Sequence, residues 1–246
     1  MAILNSVTIV ASPRPRVGKT LLARLLLEFH RHEGRPVEGF DLGGDGEGAL
    51  VRFLPDDVRP ATVADVRAQM ALFDRLIEPD GVHKVLDIGH ACFARFFAVA
   101  RDIDFVAEAW RRAVAATVLY VMTPDEEAAR AFVDLSARLP PAALTPVHNE
   151  MLGILLHRGK YARLGRGMGV VRVPALPPGL ARWIDRPRFS FAAVAAMPDI
   201  PVAVRDEVAR WLRRVHIEFR EFHLRQILNE LQSATGRSAA DPGREV

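Results

Sequence analysis

Cysteine is almost absent from this 246-residue chain. The single thiol, Cys92, cannot form an internal bridge, so a disulfide-stapled scaffold is excluded, and within ACFARFF it reads as buried and inert. Lysine is nearly as scarce: it occurs only at positions 19, 84 and 160, which leaves 33 − 3 = 30 arginines to carry the basic charge. No stretch approaches 18 uncharged apolar residues, which excludes a membrane-spanning helix. The eight histidines show neither H-x-x-x-H nor a Cys/His spacing, so a zinc centre of that kind is not encoded. Internal repeats and domain linkers are also missing. The opening MAILNSV lacks a secretory pattern, and with the lone thiol it sets the expectation of a cytoplasmic protein.

The composition is that of a globular protein: 50% hydrophobic, 26% charged, with 17 glycines and 17 prolines. A chain of this length and apolar content buries a sizeable core, which excludes disorder as the dominant state. Net charge is only +3, so the arginine bias points first to the base composition of the coding sequence and second to anion binding.

Apolar periodicity then divides the chain. SVTIVAS (6–12) is a buried strand, and LLARLLLEFHRH from Leu21 spreads leucines over most helical faces before Gly34 and Pro36 stop the helix. VEGFDL (37–42) is a second strand that enters the turn GGDGEG. Thr62 is expected to cap a helix over 63–77 with Val63, Val66, Met70, Phe73 and Ile77 on its buried face. HKVLDIG (83–89) is a third strand, 91–113 a helix, and TVLYVM (117–122) a fourth strand. The run from Thr123 to Glu127 reads as a helix start with Thr123 as cap and Pro124 at the first helical position. LTPVHN (144–149) is a strand in which Pro146 favours an edge or a strand start, GVVRVPAL (169–176) is the last strand, and 201–232 is a long helix. Val208, Trp211, Val215, Phe219 and Phe222 form the core side of that helix. This alternation predicts an α/β fold: one doubly wound, mostly parallel sheet with helices on both faces, filling residues 1–232, with 233–246 as a disordered tail.

The chemistry concentrates in SPRPRVGKT (12–20), between the first strand and the first helix, where backbone N–H groups and the helix N-terminus form an anion site. The P-loop pattern G-x-x-x-x-G-K-S/T is met at Gly18, Lys19 and Thr20 and fails at its first glycine, which is Pro13. Pro15 removes another amide donor. The amides of Val17, Gly18, Lys19 and Thr20 remain to wrap a phosphate, with Lys19 bridging phosphates and the Thr20 hydroxyl a ligand to Mg²⁺. Two acids stand at strand ends, where doubly wound sheets place ligands. Asp87 in VLDIGH is expected to hold Mg²⁺ and the Gly89 amide to sense a γ-phosphate, while Asp41 in GFDLGG orients or deprotonates the attacking water.

These residues resemble the ParA/MinD-like branch of P-loop ATPases, whose deviant loop has the form K-G-G-x-G-K-S/T and aligns with PRPRVGKT through Arg14, Val17, Gly18, Lys19 and Thr20. The resemblance implies that Arg14 acts across an ATP-sandwich dimer on the partner copy's phosphates. The family's D-x-D-P appears as Asp41-Leu42-Gly43-Gly44, with its second acid lost, and its D-x-x-G/P appears loosely as Asp87-Ile88-Gly89. Asn149 stands where the family often has a base-reading asparagine, and VPALPPGLARWID resembles the loop that packs near adenine. By this resemblance the cofactors are ATP and Mg²⁺, and the protein is a slowly hydrolysing dimeric switch that controls a protein partner, DNA or a membrane surface. Two alternatives stay open: a small-molecule synthetase or kinase on the same fold, and a nucleotide-binding module without turnover, which Pro13 and Pro15 suggest. His90 and His148 lie beside pocket residues, and HRGKYARLGRGMG (157–169) is a basic segment suited to phosphates of DNA or acidic lipid, though core, surface or loop roles compete for all three.

Overall fold

The computed structural model describes residues 5–43, 49–140, 143–153 and 169–238, with backbone alone at 195 and 230–238. A seven-stranded sheet of order β3-β2-β4-β1-β5-β6-β7 runs through it, parallel at every pairing. The strands are β1 (Ser6–Ala11), β2 (Val37–Leu42), β3 (Val58–Pro60), β4 (His83–Ile88), β5 (Ala115–Val121), β6 (Leu144–Asn149) and β7 (Val171–Val173). Between and after them lie α1 (Lys19–His32), α2 (Leu50–Phe53), α3 (Val66–Leu76), α4 (Phe93–Asp102), α5 (Phe105–Arg111), α6 (Glu126–Arg138), α7 (Ala181–Ile184) and α8 (Val202–Ser238).

The expected doubly wound α/β fold is present, and the alternation along the central strands explains its two cores. In β1, Val7, Ile9 and Ala11 face the side of α3 to α6 while Val10 faces α1 and α8. Strand β5 divides in the same way, with Ala116, Val118 and Tyr120 on one side and Leu119 and Val121 on the other. Helix α1 is buried along most of its length because sheet and α8 cover both its sides, and it carries Arg24 and Glu28 inward. Arg24 donates to the carbonyls of Ile184 and Phe189, and Glu28 accepts from Ser190 and from the Phe191 and Ala192 amides, so α1 clamps the segment after β7. Val208, Trp211, Val215, Phe219 and Phe222 of α8 are buried as expected.

Several local expectations change. The cap of α3 is Asp65, whose side chain accepts from the Ala68 N–H, and the helix buries Leu72, Phe73 and Leu76 while Val66 and Met70 are 68% and 60% exposed. The helix expected over 91–113 is broken at Asp104, which adopts φ 51° between α4 and α5. Asp125, not Thr123, caps α6. Pro146 lies inside β6 rather than at its start, and because the β7 register begins at Val147 the proline stands at a local edge on that side. Strand β7 is three residues long, and Cys92 is half-buried rather than enclosed. Strand β3, with Pro60 at its end on the sheet edge, and α2 were not anticipated. Helix α8 runs on to Ser238, into the segment read from sequence as a tail.

Candidate functional site at the carboxyl edge of the sheet

The loop between β1 and α1 ends at Gly18, which precedes the helix in a left-handed conformation (φ 89°) with no side chain capping the first turn. The amides of that turn have no side-chain cap, and such free helix-start N–H groups suit an anion. A Cβ at Gly18 would lie 2.5 Å from Asn149 Nδ2, so only glycine fits. Asn149 itself, at the end of β6, donates from Nδ2 to the Val17 carbonyl at 3.0 Å and accepts the Met151 N–H at 3.1 Å. Its amide therefore ties the phosphate-type loop to the sheet rather than standing free for a base.

Lys19 is buried, and its Nζ donates to the Arg14 carbonyl at 2.6 Å. Burial lowers the affinity of this ammonium for its proton, with Asp87 opposing the shift. Arg14 does not stand free: Nε and Nη2 both donate to Asp125 Oδ1, at 3.0 and 2.8 Å, and Nη2 lies 2.9 Å from Glu127 Oε2. The acids of the α6 start, Asp125 and Glu127, are thus partners of the loop. That pairing joins residues 111 apart and has no local signal.

Asp41 and Asp87 are opposite one another in the β2–β4 register, so both carboxylates leave the sheet at the same level. Thr20 donates its hydroxyl to Asp87 Oδ2 at 2.6 Å, and the Val51 N–H donates to Asp41 Oδ2 at 3.1 Å. The second oxygen of each acid, Oδ1, is buried and accepts no hydrogen bond among the described residues. Burial pushes the Asp87 carboxyl up to about 7, with the Asp41 charge adding and Thr20 and Lys19 opposing. Burial also raises Asp41, against the Val51, Gly43 and Leu50 backbone donors.

These hard oxygens fit Mg²⁺, which is held by few carboxylates and keeps water and phosphate oxygens as its other ligands. Among the described residues no group of three or more His, Cys, Asp or Glu side chains forms a metal cage. Gly89 stands differently from expectation: its N–H donates to the Leu42 carbonyl at 3.0 Å, and a Cβ there would meet Gly43 Cα at 2.8 Å. Its smallness lets β2 and β4 exit side by side, and its amide is engaged by the Leu42 carbonyl. His90 is exposed, and His148 Nε2 lies 2.9 Å from the Gly153 carbonyl. The basic segment at 157–168 and Gly44 lie outside the described residues.

An all-parallel sheet of this order, with a phosphate-type loop after its central β1, defines the P-loop NTPase fold. The same fold appears in the MinC:MinD cell division protein complex of Aquifex aeolicus, whose MinD chain is 13% identical, with 85% of this chain and 95% of that one covered at a TM-score of 0.50. FtsY from Mycoplasma mycoides aligns more weakly, at 12% identity over 65% of this chain and 56% of its own, with a TM-score of 0.37. No family model and no curated protein matches the sequence. No helix among the described residues is long and apolar enough to cross a membrane.

Proposed function

We propose that this chain is a Mg·ATP-dependent switch of the ParA/MinD type, in which bound ATP draws two copies together, slow hydrolysis separates them, and the difference controls a partner. The observation that carries the reading is the pair of buried Oδ1 atoms on Asp41 and Asp87 that accept no hydrogen bond among the described residues, facing a loop that ends in Gly18, Lys19 and Thr20. Unpaired buried carboxylate oxygens are expensive to keep, and a site that receives a cation explains both at once.

The residues divide the work by their atoms. The amides of Val17 to Thr20 and the Lys19 ammonium neutralise phosphate charge, for which Lys19 must release the Arg14 carbonyl. Thr20 and Asp87 hold Mg²⁺, which supplies charge neutralisation at the phosphates when bound. Asp41 Oδ1 is the free acceptor for a proton of the attacking water, and burial keeps that carboxylate more basic than usual. Arg14 reaches a second copy only by leaving Asp125 and Glu127. A protein partner is supported by the fold neighbour having been solved as a complex with MinC.

Titration with a fluorescent ATP analogue in Mg²⁺ tests this. Lys19→Ala is expected to weaken binding at least about 100-fold, since charge-assisted contacts of this kind are the strong ones. Wild-type affinity in the variant would remove the reading. A second reading, binding without turnover, is favoured by the Gly89 N–H being held by Leu42. Phosphate release from ATP alone, suppressed in Asp41→Ala with binding intact, separates the switch from that module.

A further inference from the structure

The loop carries three cations, and two of them already have partners. Lys19 donates to the Arg14 carbonyl, and the Arg14 guanidinium is held by Asp125 and Glu127. Arg16 is exposed and, among the described residues, makes no hydrogen bond or ion pair.

Its backbone is the second observation. Arg16 follows Pro15 in a turn and sits at φ 56°, in the left-handed region where an L side chain is disfavoured and glycine is not. Proline followed by a left-handed residue fits a type II turn, whose second central position normally belongs to glycine or asparagine. Three other non-glycine residues share this conformation, and each has a local account. Asp104 precedes α5 and its carbonyl accepts from the Glu108 N–H, Ala113 ends the turn after α5 with its N–H on the Trp110 carbonyl, and Arg188 places Nη1 3.2 Å from Asp56. At position 16 no described contact offsets the strain. Strained residues held in this way cluster at ligand sites, and the inference runs from the outlier to its use.

We propose that Arg16 is a second cation of this loop, beside Lys19, that contacts a nucleotide phosphate, the role that the alignment of motifs gives to Arg14. This rests on the nucleotide-binding reading above. The ligand chemistry is a phosphate group that a guanidinium meets with two N–H donors, and it is presented either by the nucleotide in the same loop or by the nucleotide of a second copy.

The experiment uses the full chain and the variants Arg16→Gly and Arg16→Lys. A fluorescent ADP analogue reads the chain's own site, and light scattering with a non-hydrolysable ATP analogue reads association of two copies. Arg16→Gly is expected to melt no lower than wild type, because glycine relieves the turn. It should nevertheless lose about 10- to 100-fold in one of the two binding measurements, with Arg16→Lys recovering part of the loss. Loss of ADP affinity places the phosphate in the same chain, and loss confined to ATP-dependent association places it in the second copy. Both measurements at the wild-type level in Arg16→Gly, or losses as large in Arg16→Lys as in Arg16→Gly, would overturn the assignment. A wild-type chain that binds the analogues while Arg16→Gly is unaltered sinks this proposal alone, whereas a wild-type chain that binds neither sinks the nucleotide reading with it.

Discussion

The two ends of the sheet treat buried charge in opposite ways, and two of the three lysines show it. At the amino edge, Lys84 is fully buried and satisfied: its Nζ donates to Asp80 Oδ1 and to the Glu78 carbonyl, both at 2.5 Å. Nearby, Glu38 pairs with Arg59 at 2.7 Å and with Arg75 at 2.6 Å, and Arg75 also reaches Glu78 and Asp80. At the carboxyl edge, among the described residues, Lys19 Nζ donates to a carbonyl alone, Asp41 and Asp87 each keep an oxygen without a donor, and Arg16 is strained. A buried charge whose partners are all in place has its desolvation offset, and breaking the set is what costs a fold. One whose partners are missing marks a place where something else is meant to bind.

Neutralising Asp87 is the largest way to break this contrast. Its folded carboxyl at about 7 stands above the unfolded value of 3.8, so the native state holds that proton longer. Stability from this group is present below about pH 4 and is lost as pH rises through about 7. Without ligand at pH 8, Asp87→Asn should therefore stabilise the chain by as much as about 4 kcal/mol in urea melts, while lowering Mg²⁺-dependent nucleotide affinity. Destabilisation by this variant would mean that the carboxylate is already satisfied.

The histidines at the amino edge should give the opposite slope with pH. His30 and His83 stack at 4.4 Å between ring centroids, His223 packs edge-on to His30, and Ser6 Oγ lies 2.7 Å from His83 Nδ1. Burial lowers His30 to about 2 and His83 to about 4, with Arg35 and neighbouring His223 adding. Folded values below the usual 6.5 mean that stability from these rings is full above that pH and is lost as pH falls from 6.5 toward 4. His83→Asn should flatten the melting curve against pH over that window, removing about 3 kcal/mol of acid sensitivity. An unchanged slope would show that His83 is protonated in the fold.

Comparing the two lysines gives the smallest effect and the most direct one. Lys84→Met should lower stability by about 2 kcal/mol, because Asp80 loses a buried cation and keeps Arg75 and the Val82 N–H. Lys19→Met, by the same measurement, should leave stability unchanged or raise it, since among the described residues that ammonium makes no salt bridge. Equal losses from both would erase the difference between the two edges.

Sequence by itself determined what short stretches of chain can determine. A β-branched strand, a loop ending in Gly-Lys-Thr and a leucine-filled helix are contiguous, so β1, the phosphate-type loop and α1 were legible from periodicity and backbone chemistry. The acids at strand ends were legible for the same reason, because Asp41 and Asp87 each close an apolar run. The long α8 showed its buried stripe through a repeat of large apolar residues. What only the tertiary structure decided was everything that depends on a distant neighbour. Periodicity predicts that α3 is amphipathic, but the turn at which Asp65 starts the helix moves Val66 and Met70 to the surface. Three-residue β3 and β7 carry too little pattern to be bounded, since their pairing energy comes from β2 and β6. Asn149 gives its amide to Val17 and Arg14 gives its guanidinium to Asp125, across 132 and 111 residues, partners that no motif alignment could supply. Local spacing fixes which backbone groups are available, whereas long-range packing fixes which of them are already taken.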